Sequence, residues 1–91
     1  MVTLQRVKDH LRIVGDEEDD YLAHLIQVAQ DSIENDLRRT FEGEVPPPVQ
    51  HAALLLIGHW YAHREEVAPG TMIEIPVAAR HLLSPYRRLV E

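Results

Sequence analysis

The segment that follows three consecutive prolines, residues 46–48, constrains the fold of this chain more than any other feature. Proline cannot stand inside a helix but fits its first turn, so a helix is predicted to begin there. The apolar residues that follow cover one wide face and continue around the cylinder: Ala52, Ala53, Leu54, Leu55, Leu56, Ile57, Trp60 and Tyr61. We therefore expect a long central helix that is the most buried element and that stops at Ala68-Pro69-Gly70.

A second long helix is predicted ahead of the central one. Its apolar residues recur every three or four positions and form one stripe: Leu22, Leu25, Ile26, Ala29, Ile33 and Leu37. The acidic residues 16–20 precede this stripe, and Arg38 and Arg39 follow it. Negative charge at the start of a helix and positive charge at its end complement the helix dipole, so charge and periodicity indicate the same boundaries.

Two shorter helices complete the pattern. A first helix is predicted after Thr3, which can act as its N-cap, and it stops by Gly15. A last helix is predicted to open at Pro76 and to end at Ser84-Pro85. Their apolar positions are Leu4, Val7 and Leu11 in the first and Val77, Leu82 and Leu83 in the last. Because no alternating segment is long enough for a sheet, we expect one all-α domain over residues 1–91, a bundle of about four helices with a short C-terminal helix or tail.

The overall charge argues against binding to nucleic acid or anionic lipid. The chain has 9 Lys plus Arg against 15 Asp plus Glu, which gives a formal net charge of -6. A protein of this charge repels phosphate groups. The longest apolar run, residues 52–58, is far shorter than the roughly 18 to 20 residues that span a bilayer, and residues 1–12 lack the apolar core of a signal peptide. With no cysteine, the sequence predicts a cytoplasmic protein without disulfides or cysteine-held metals.

No residue pattern in the chain predicts catalysis, a metal or a cofactor. His59 and His63 stand four positions apart on the central helix, a spacing that can bind zinc, but the glutamate of the H-E-x-x-H motif and a third ligand are missing. The acidic run at residues 16–20 does not form an EF-hand loop, because Tyr21 stands where the glycine is required. The serines lack a nucleophile motif and the glycines are isolated. We predict no enzyme activity, no metal and no cofactor.

Positive charge gathers near the C-terminus of this acidic chain. The residues concerned are Arg80, Arg87 and Arg88, with Tyr86 beside them. A basic and partly aromatic patch is typical of an assembly interface. Complementing the negative end of a helix dipole would explain the same charges equally well. Composition and periodicity alone therefore indicate no more than a helical interaction domain.

Several segments carry a pattern beyond helical periodicity. An apolar run leads into W-Y-x-x-R-E at residues 60–65, and the chain closes with L-L-x-P-Y-R at residues 82–87. The sequence Ile75-Pro76-Val77, the spacing of the first helix and the Asp-rich start of the second follow the same layout. Over nearly its whole length the chain thus resembles the head-tail connector family of long-tailed bacteriophages and prophages, whose members are also described as DNA-packaging or head-completion proteins. Residues 38–41 depart from the family pattern, in which a glycine often stands.

The resemblance implies a structural adaptor that assembles into a ring, dodecameric in the particle, beneath the portal of a filled capsid. One face of the ring would contact the portal protein and the other a stopper or tail-completion protein. Genomic DNA would pass through the centre without sequence-specific binding. The protein would belong to the virion neck, and to the host bacterial cytoplasm during assembly or when expressed from a prophage. Neither a membrane nor a cofactor is implied.

The resemblance also implies roles for individual residues. Arg64 and Glu65 match the R-E pair of the family and are candidate contacts between subunits or between helices. The candidate portal-docking residues lie toward the C-terminus, the expected docking element of such adaptors, and are Arg80, Tyr86, Arg87 and Arg88. The core anchors, which periodicity indicates, are Leu25, Ile26, Leu56, Trp60 and Tyr61, with the Tyr61 hydroxyl near the rim of the core.

Other functions compete with the connector. A small helical DNA-binding regulator, such as a helix-turn-helix protein, or a generic protein-interaction domain would also consist of several short helices. A recognition helix should present Arg, Lys, Asn or Gln to base edges. The central helix is instead apolar, and the second carries mostly acids outside its stripe. A metal-dependent enzyme built on His59 and His63 lacks further ligands.

Overall fold

The computed structural model describes residues 1–41, 43–63 and 76–87. These residues contain four α-helices, namely α1 (Leu4–Leu11), α2 (Asp19–Leu37), α3 (Pro47–Ala62) and α4 (Val77–Leu83), and a 3₁₀ turn, Ser84–Tyr86, that directly follows α4. No strand occurs in the described part of the chain, so the all-α class predicted from periodicity is confirmed. None of the helices in these ranges is long and apolar enough to cross a membrane.

Hydrogen bonds define both ends of α1. The Thr3 side chain accepts a hydrogen bond from Arg6 N at 3.1 Å, which confirms Thr3 as the N-cap. At the other end Arg12 adopts a left-handed conformation with φ 59°, and Ile13 N donates to Lys8 O at 2.9 Å. Together these features form a Schellman motif, which satisfies the last carbonyls of the helix and ends it.

The stripe predicted for α2 faces the core. Its fully buried residues are Leu22, Leu25, Ala29, Ile33 and Leu37. The first turn carries Asp19 and Asp20, whose charge complements the positive end of the helix dipole. Arg38 ends the helix in a left-handed conformation with φ 57°, so Arg38 and Arg39 lie beyond the last turn and not within it.

The centre of the bundle is α3, which packs against α1, α2 and α4. Pro47 and Pro48 occupy its first turn, where the missing N–H groups cost no helical hydrogen bond. Its buried residues outnumber those of α2 and are Val49, Ala52, Ala53, Leu54, Leu56, Ile57 and Trp60. The expectation of a most buried central helix is thus confirmed.

The end of α3 differs from the sequence-based expectation. The helix stops at Ala62, ahead of Ala68-Pro69-Gly70, where its end was predicted. His63 has a non-helical backbone (φ -129°, ψ 67°), and its N–H donates to the His59 and Trp60 carbonyls. The Nδ1 atom of His63 also lies 2.9 Å from the His59 carbonyl oxygen. Local groups thereby satisfy the end of the helix, an effect that apolar periodicity does not report.

One face of α4 is buried and the other is exposed. Ala79 and Leu83 are fully buried, and Leu82 and Tyr86 are partly buried against the same core. Val77, which was grouped with Leu82 and Leu83 as an apolar position of this helix, is 70% exposed. The reason is geometric, since Val77 stands two residues before Ala79 and two residues turn a helix by about 200°.

The residues predicted as core anchors all lie in or against the core, to different depths. Leu25, Leu56 and Trp60 are fully buried. Ile26 and Tyr61 are partly buried and pack against the buried cluster. The Tyr61 hydroxyl reaches the edge of the core and donates a hydrogen bond to a Glu18 carboxylate oxygen there. Tyrosine commonly packs in this way, with its ring in the core and its hydroxyl near polar groups.

Candidate functional site

The exposed face of α4 and the residue after the 3₁₀ turn line an open groove. Val77, Arg80, His81 and Ser84 recur at the spacing of one helix face, and Arg87 completes the lining. The space between them measures about 340 Å³. We call the surface formed by these residues the α4 groove.

Two arginines give the α4 groove its positive charge. Nη2 of Arg87 lies 2.7 Å from Oδ2 of Asp36 on α2, and the Arg87 side chain keeps 43% of its surface exposed. The Arg80 side chain is exposed and forms no ion pair or hydrogen bond with any described residue. In the groove an ion pair therefore holds the Arg87 side chain, whereas the Arg80 side chain is not held by one. Both line the same surface as the exposed Val77 side chain.

A second contact links the 3₁₀ turn to the residues just after α2. Arg39 Nη1 donates a hydrogen bond to the Tyr86 carbonyl oxygen at 3.5 Å. The Arg39 guanidinium also lies 4.8 Å from the centroid of the Phe41 ring. Together with the pair between Arg87 and Asp36, this contact holds the 3₁₀ turn near the C-terminal end of α2. The hydrogen bond, the ring contact and the ion pair are all at the surface, where each contributes about 1 kcal/mol or less.

The structure brings some of the predicted docking residues together and separates others. Arg80 and Arg87 line the same groove. Tyr86 packs partly buried against the core. Arg88 lies outside the described residues, as do Arg64 and Glu65, the predicted subunit or helix contacts.

The acidic run ahead of α2 is partly used inside the molecule. Glu18 accepts a hydrogen bond from the Tyr61 hydroxyl of α3. Asp19 pairs with Lys8 of α1 at 2.9 Å. These contacts join the start of α2 to two other helices, a role that charge complementarity with the helix dipole does not reveal.

Residues 14–17 of the loop between α1 and α2 are exposed. Val14 is 95% exposed. Asp16 and Glu17 are also exposed, and their carboxylates bind no described residue. We call Val14, Asp16 and Glu17 the acidic corner. No residue of this corner lines the α4 groove, so the molecule displays opposite charges on two separate surfaces.

Sequence reasoning missed the two exposed valines and the role of Asp36. A signal for Val77 was nevertheless present in the spacing of the last helix. Ala79, Leu82, Leu83 and Tyr86 fall at one set of helical positions, and Val77, Arg80, His81 and Ser84 fall at another. For Val14 and Asp36 no local pattern exists, because their surroundings come from the tertiary structure.

His59 on α3 and His63, the residue that follows this helix, are both exposed. The rings of His59 and His63 lie 4.7 Å apart between centroids. Among the described residues, no group of three or more His, Cys, Asp or Glu side chains could hold a metal ion. A pair alone does not supply the three or four protein ligands that a zinc site needs.

The α4 groove also contains a serine and a histidine, the residue types of a hydrolase. Ser84 and His81 both line it, but neither forms a hydrogen bond with the other. A catalytic serine needs a base within hydrogen-bonding reach, itself oriented by a third group. The lining, with its cations and exposed valine, is instead suited to binding an acidic protein surface that carries an aliphatic side chain.

Comparison with known proteins identifies one family. The model of the family described as "Phage gp6-like head-tail connector protein" matches residues 1–87. No curated protein and no solved structure matches the chain. The family match spans every helix described above.

Proposed function

Because the chain belongs to the phage gp6-like head-tail connector family, we propose that it joins the filled head of a phage or prophage particle to its tail. It assembles as a dodecameric ring beneath the portal protein, and a stopper or tail-completion protein binds the opposite face. Genomic DNA passes through the centre without sequence-specific binding. The protein then belongs to the virion neck and reaches it from the host cytoplasm during assembly.

The family match over residues 1–87 carries this proposal. The net charge of -6 supports it, since a ring through which DNA slides must not hold the phosphates. A small domain with one apolar central helix also gains stability by burying further surface against neighbouring subunits.

We propose Tyr86, Arg87 and Arg88 as the portal-facing residues. Tyrosine and arginine are the side chains that most often dominate the binding energy of an interface. Arg87 keeps part of its side chain accessible although it pairs with Asp36. Arg80, which the resemblance groups with these docking candidates, stands about two helical turns earlier, inside α4, and we propose that it contacts a neighbouring subunit instead. Arg64 and Glu65 remain candidates for contacts between subunits or helices.

Addition of the purified protein to DNA-filled heads of the cognate phage tests the function. We expect a ring at the portal vertex, visible by electron cryo-microscopy, and heads that now accept tails. In a lysate of phage lacking the connector, the added protein should restore infectivity. Heads that neither bind the protein nor become infectious would contradict the proposed role.

A charge reversal tests the portal-facing residues separately. The variant Arg87→Glu should bind the cognate portal at least tenfold more weakly, because losing a hot-spot residue of an interface costs about 2 kcal/mol or more and tenfold corresponds to about 1.4 kcal/mol. Arg6→Glu is the matched control, since Arg6 is exposed on α1 and the change in charge is the same. Circular dichroism confirms that both variants fold. Unchanged portal binding by Arg87→Glu would move the docking surface elsewhere and leave the connector function standing.

A further inference from the structure

Two exposed hydrophobic side chains mark two places on the molecular surface. Among the described residues, the large hydrophobic side chains that remain exposed are Val14 and Val77, at 95% and 70%. Val14 belongs to the acidic corner and Val77 to the α4 groove. Val14 therefore shares its loop with the exposed Asp16 and Glu17, whereas Val77 shares its groove with Arg80 and Arg87.

The α4 groove lacks a partner within the described chain. The apolar side of α4 is already covered, because Ala79 and Leu83 are fully buried. The groove side leaves Arg80 without an ion pair among the described residues and Val77 open to solvent. A surface of this kind fits an occupant that brings an aliphatic side chain together with carboxylates.

We propose that the α4 side of this groove, formed by Val77, Arg80 and His81, binds the acidic corner of a second copy of this chain and leaves Arg87 to the portal. Val14 of one copy packs against Val77 of the next, while Asp16 and Glu17 face Arg80 and His81. The inference rests on the ring proposed above and identifies the surfaces through which adjacent subunits touch.

Charge complementarity within one sequence favours a second copy as the occupant. Each molecule carries both halves of the contact, so the matching surface is present at the same concentration as the groove. A nucleic acid is disfavoured because, among the described residues, the groove offers only Arg80 and Arg87 as permanent cations, and Arg87 is shared with Asp36.

The placement of the two surfaces determines how copies assemble. When the corner of one copy fills the groove of another without two-fold symmetry, the contact is heterologous and the pair leaves one corner and one groove unused. Further copies add at these free ends until the rotation closes into a ring. The proposed ring needs a rotation smaller than 180° between neighbours, because at 180° each corner would fill the other copy's groove and the assembly would close as a dimer.

Oxidative cross-linking tests the contact directly, because the chain contains no cysteine of its own. The variant with both Val14→Cys and Val77→Cys should give a ladder of dimers, trimers and larger species on a non-reducing gel. A mixture of the two single variants should give dimers and no larger species. The control combines Val14→Cys with Glu44→Cys, another exposed position, and should give no ladder. Absence of the ladder, both in the free protein and on portal-bearing heads, overturns the proposed contact.

Charge reversal provides an independent test. Glu17→Arg and Arg80→Glu should each weaken association between copies at least tenfold, measured by sedimentation of the free protein and by ring occupancy on portal-bearing heads. The double variant, and a mixture of the two single variants, should recover association, because Arg at position 17 then faces Glu at position 80. A folding defect in either variant would not give this recovery.

Matched controls and the portal assay distinguish a failure of the subunit contact from a failure of the connector function. Glu44→Arg and Arg6→Glu change charge equally at exposed positions and should leave association unchanged. If Glu17→Arg and Arg80→Glu associate like the wild type while wild-type protein still restores infectivity, the subunit contact is wrong and the connector function stands. If wild-type protein neither joins heads nor restores infectivity, the connector function itself fails.

Discussion

Trp60 is the largest side chain that the core encloses completely, with 1% of its surface exposed. It is also the single tryptophan of the chain. We expect Trp60→Ala to lower the free energy of unfolding by about 3 to 5 kcal/mol, because it removes a large buried side chain and leaves a cavity. Small domains are stable by only about 5 to 15 kcal/mol, so the variant would be partly unfolded at moderate temperature.

Urea denaturation followed by circular dichroism measures this effect without relying on tryptophan fluorescence. Val14→Ala serves as the control, because the Val14 side chain is 95% exposed and its loss should be nearly neutral in the free protein. A small shift for Trp60→Ala would mean that Trp60 does not anchor the core.

Arg38 occupies a backbone conformation that suits glycine better than arginine. Its φ of 57° is left-handed, and it falls within residues 38–41, where the family resemblance led us to expect a glycine. Arg38→Gly should raise the free energy of unfolding by about 0.5 to 1 kcal/mol, since the left-handed conformation costs arginine about 1 to 2 kcal/mol and the entropy of glycine offsets part of the gain. Thermal unfolding of this variant measures the change.

The control is Thr40→Gly, because Thr40 is exposed and has no positive φ. This control should be neutral or destabilising. Stabilisation by Thr40→Gly and not by Arg38→Gly would refute the argument.

At the level of the elements, apolar periodicity predicted which faces are buried better than it predicted where helices end. The stripes of α2 and α3 lie in the core as expected, because burial of apolar surface dominates the placement of long helices. The end of α3 at Ala62 depends on the backbone and ring of His63. Helix ends are set by such local hydrogen bonds, which a hydrophobic pattern does not contain.

In α4, the sequence predicted the buried face less well than in the long helices. Val77 was grouped with Leu82 and Leu83 because its side chain is apolar, although its helical position belongs with Arg80 and His81. In a helix of only 7 residues, one misplaced residue changes the interpretation of a whole face. The lining of the α4 groove was therefore half predicted: Arg80 and Arg87 were named, while the exposed Val77 that lines the same groove was not.

The ion pair between Arg87 and Asp36 connects α2 with the end of the 3₁₀ turn. Asp36→Asn should lower the stability of the domain by less than about 1 kcal/mol, because both side chains are partly exposed and water screens their attraction. Relative to the wild type, amide hydrogen exchange should accelerate more in the 3₁₀ turn than in α3, since the substitution loosens the turn and leaves the core unchanged. Salt of about 1 M should remove the difference from the wild type. A loss of stability well above 1 kcal/mol, or equal acceleration throughout the chain, would show that the pair supports the core as well.

For the whole molecule, the sequence was most informative through its family pattern and least informative through its charge. The pattern over nearly the whole chain indicated a head-tail connector, and the family match over residues 1–87 agrees. The net charge of -6 says nothing about where the charges lie. Folding places the acidic corner and the α4 groove on separate surfaces, and this separation follows from how α1, α2 and α4 pack on α3.

The separation of charge leads to an expectation about DNA. The α4 groove could contact about two phosphates, whereas non-specific DNA binding at physiological salt generally rests on several more. The rest of the acidic molecule repels the duplex. We therefore expect no measurable binding of the free protein to duplex DNA at about 150 mM salt, by fluorescence anisotropy with a labelled duplex.

Glu17→Arg replaces one repelling charge by an attracting one. It should also show no binding, because a change at one residue alters the total charge little. Micromolar affinity of the wild-type protein would be incompatible with a ring that lets DNA slide, since contacts repeated around the ring would multiply that affinity and hold the genome in the neck.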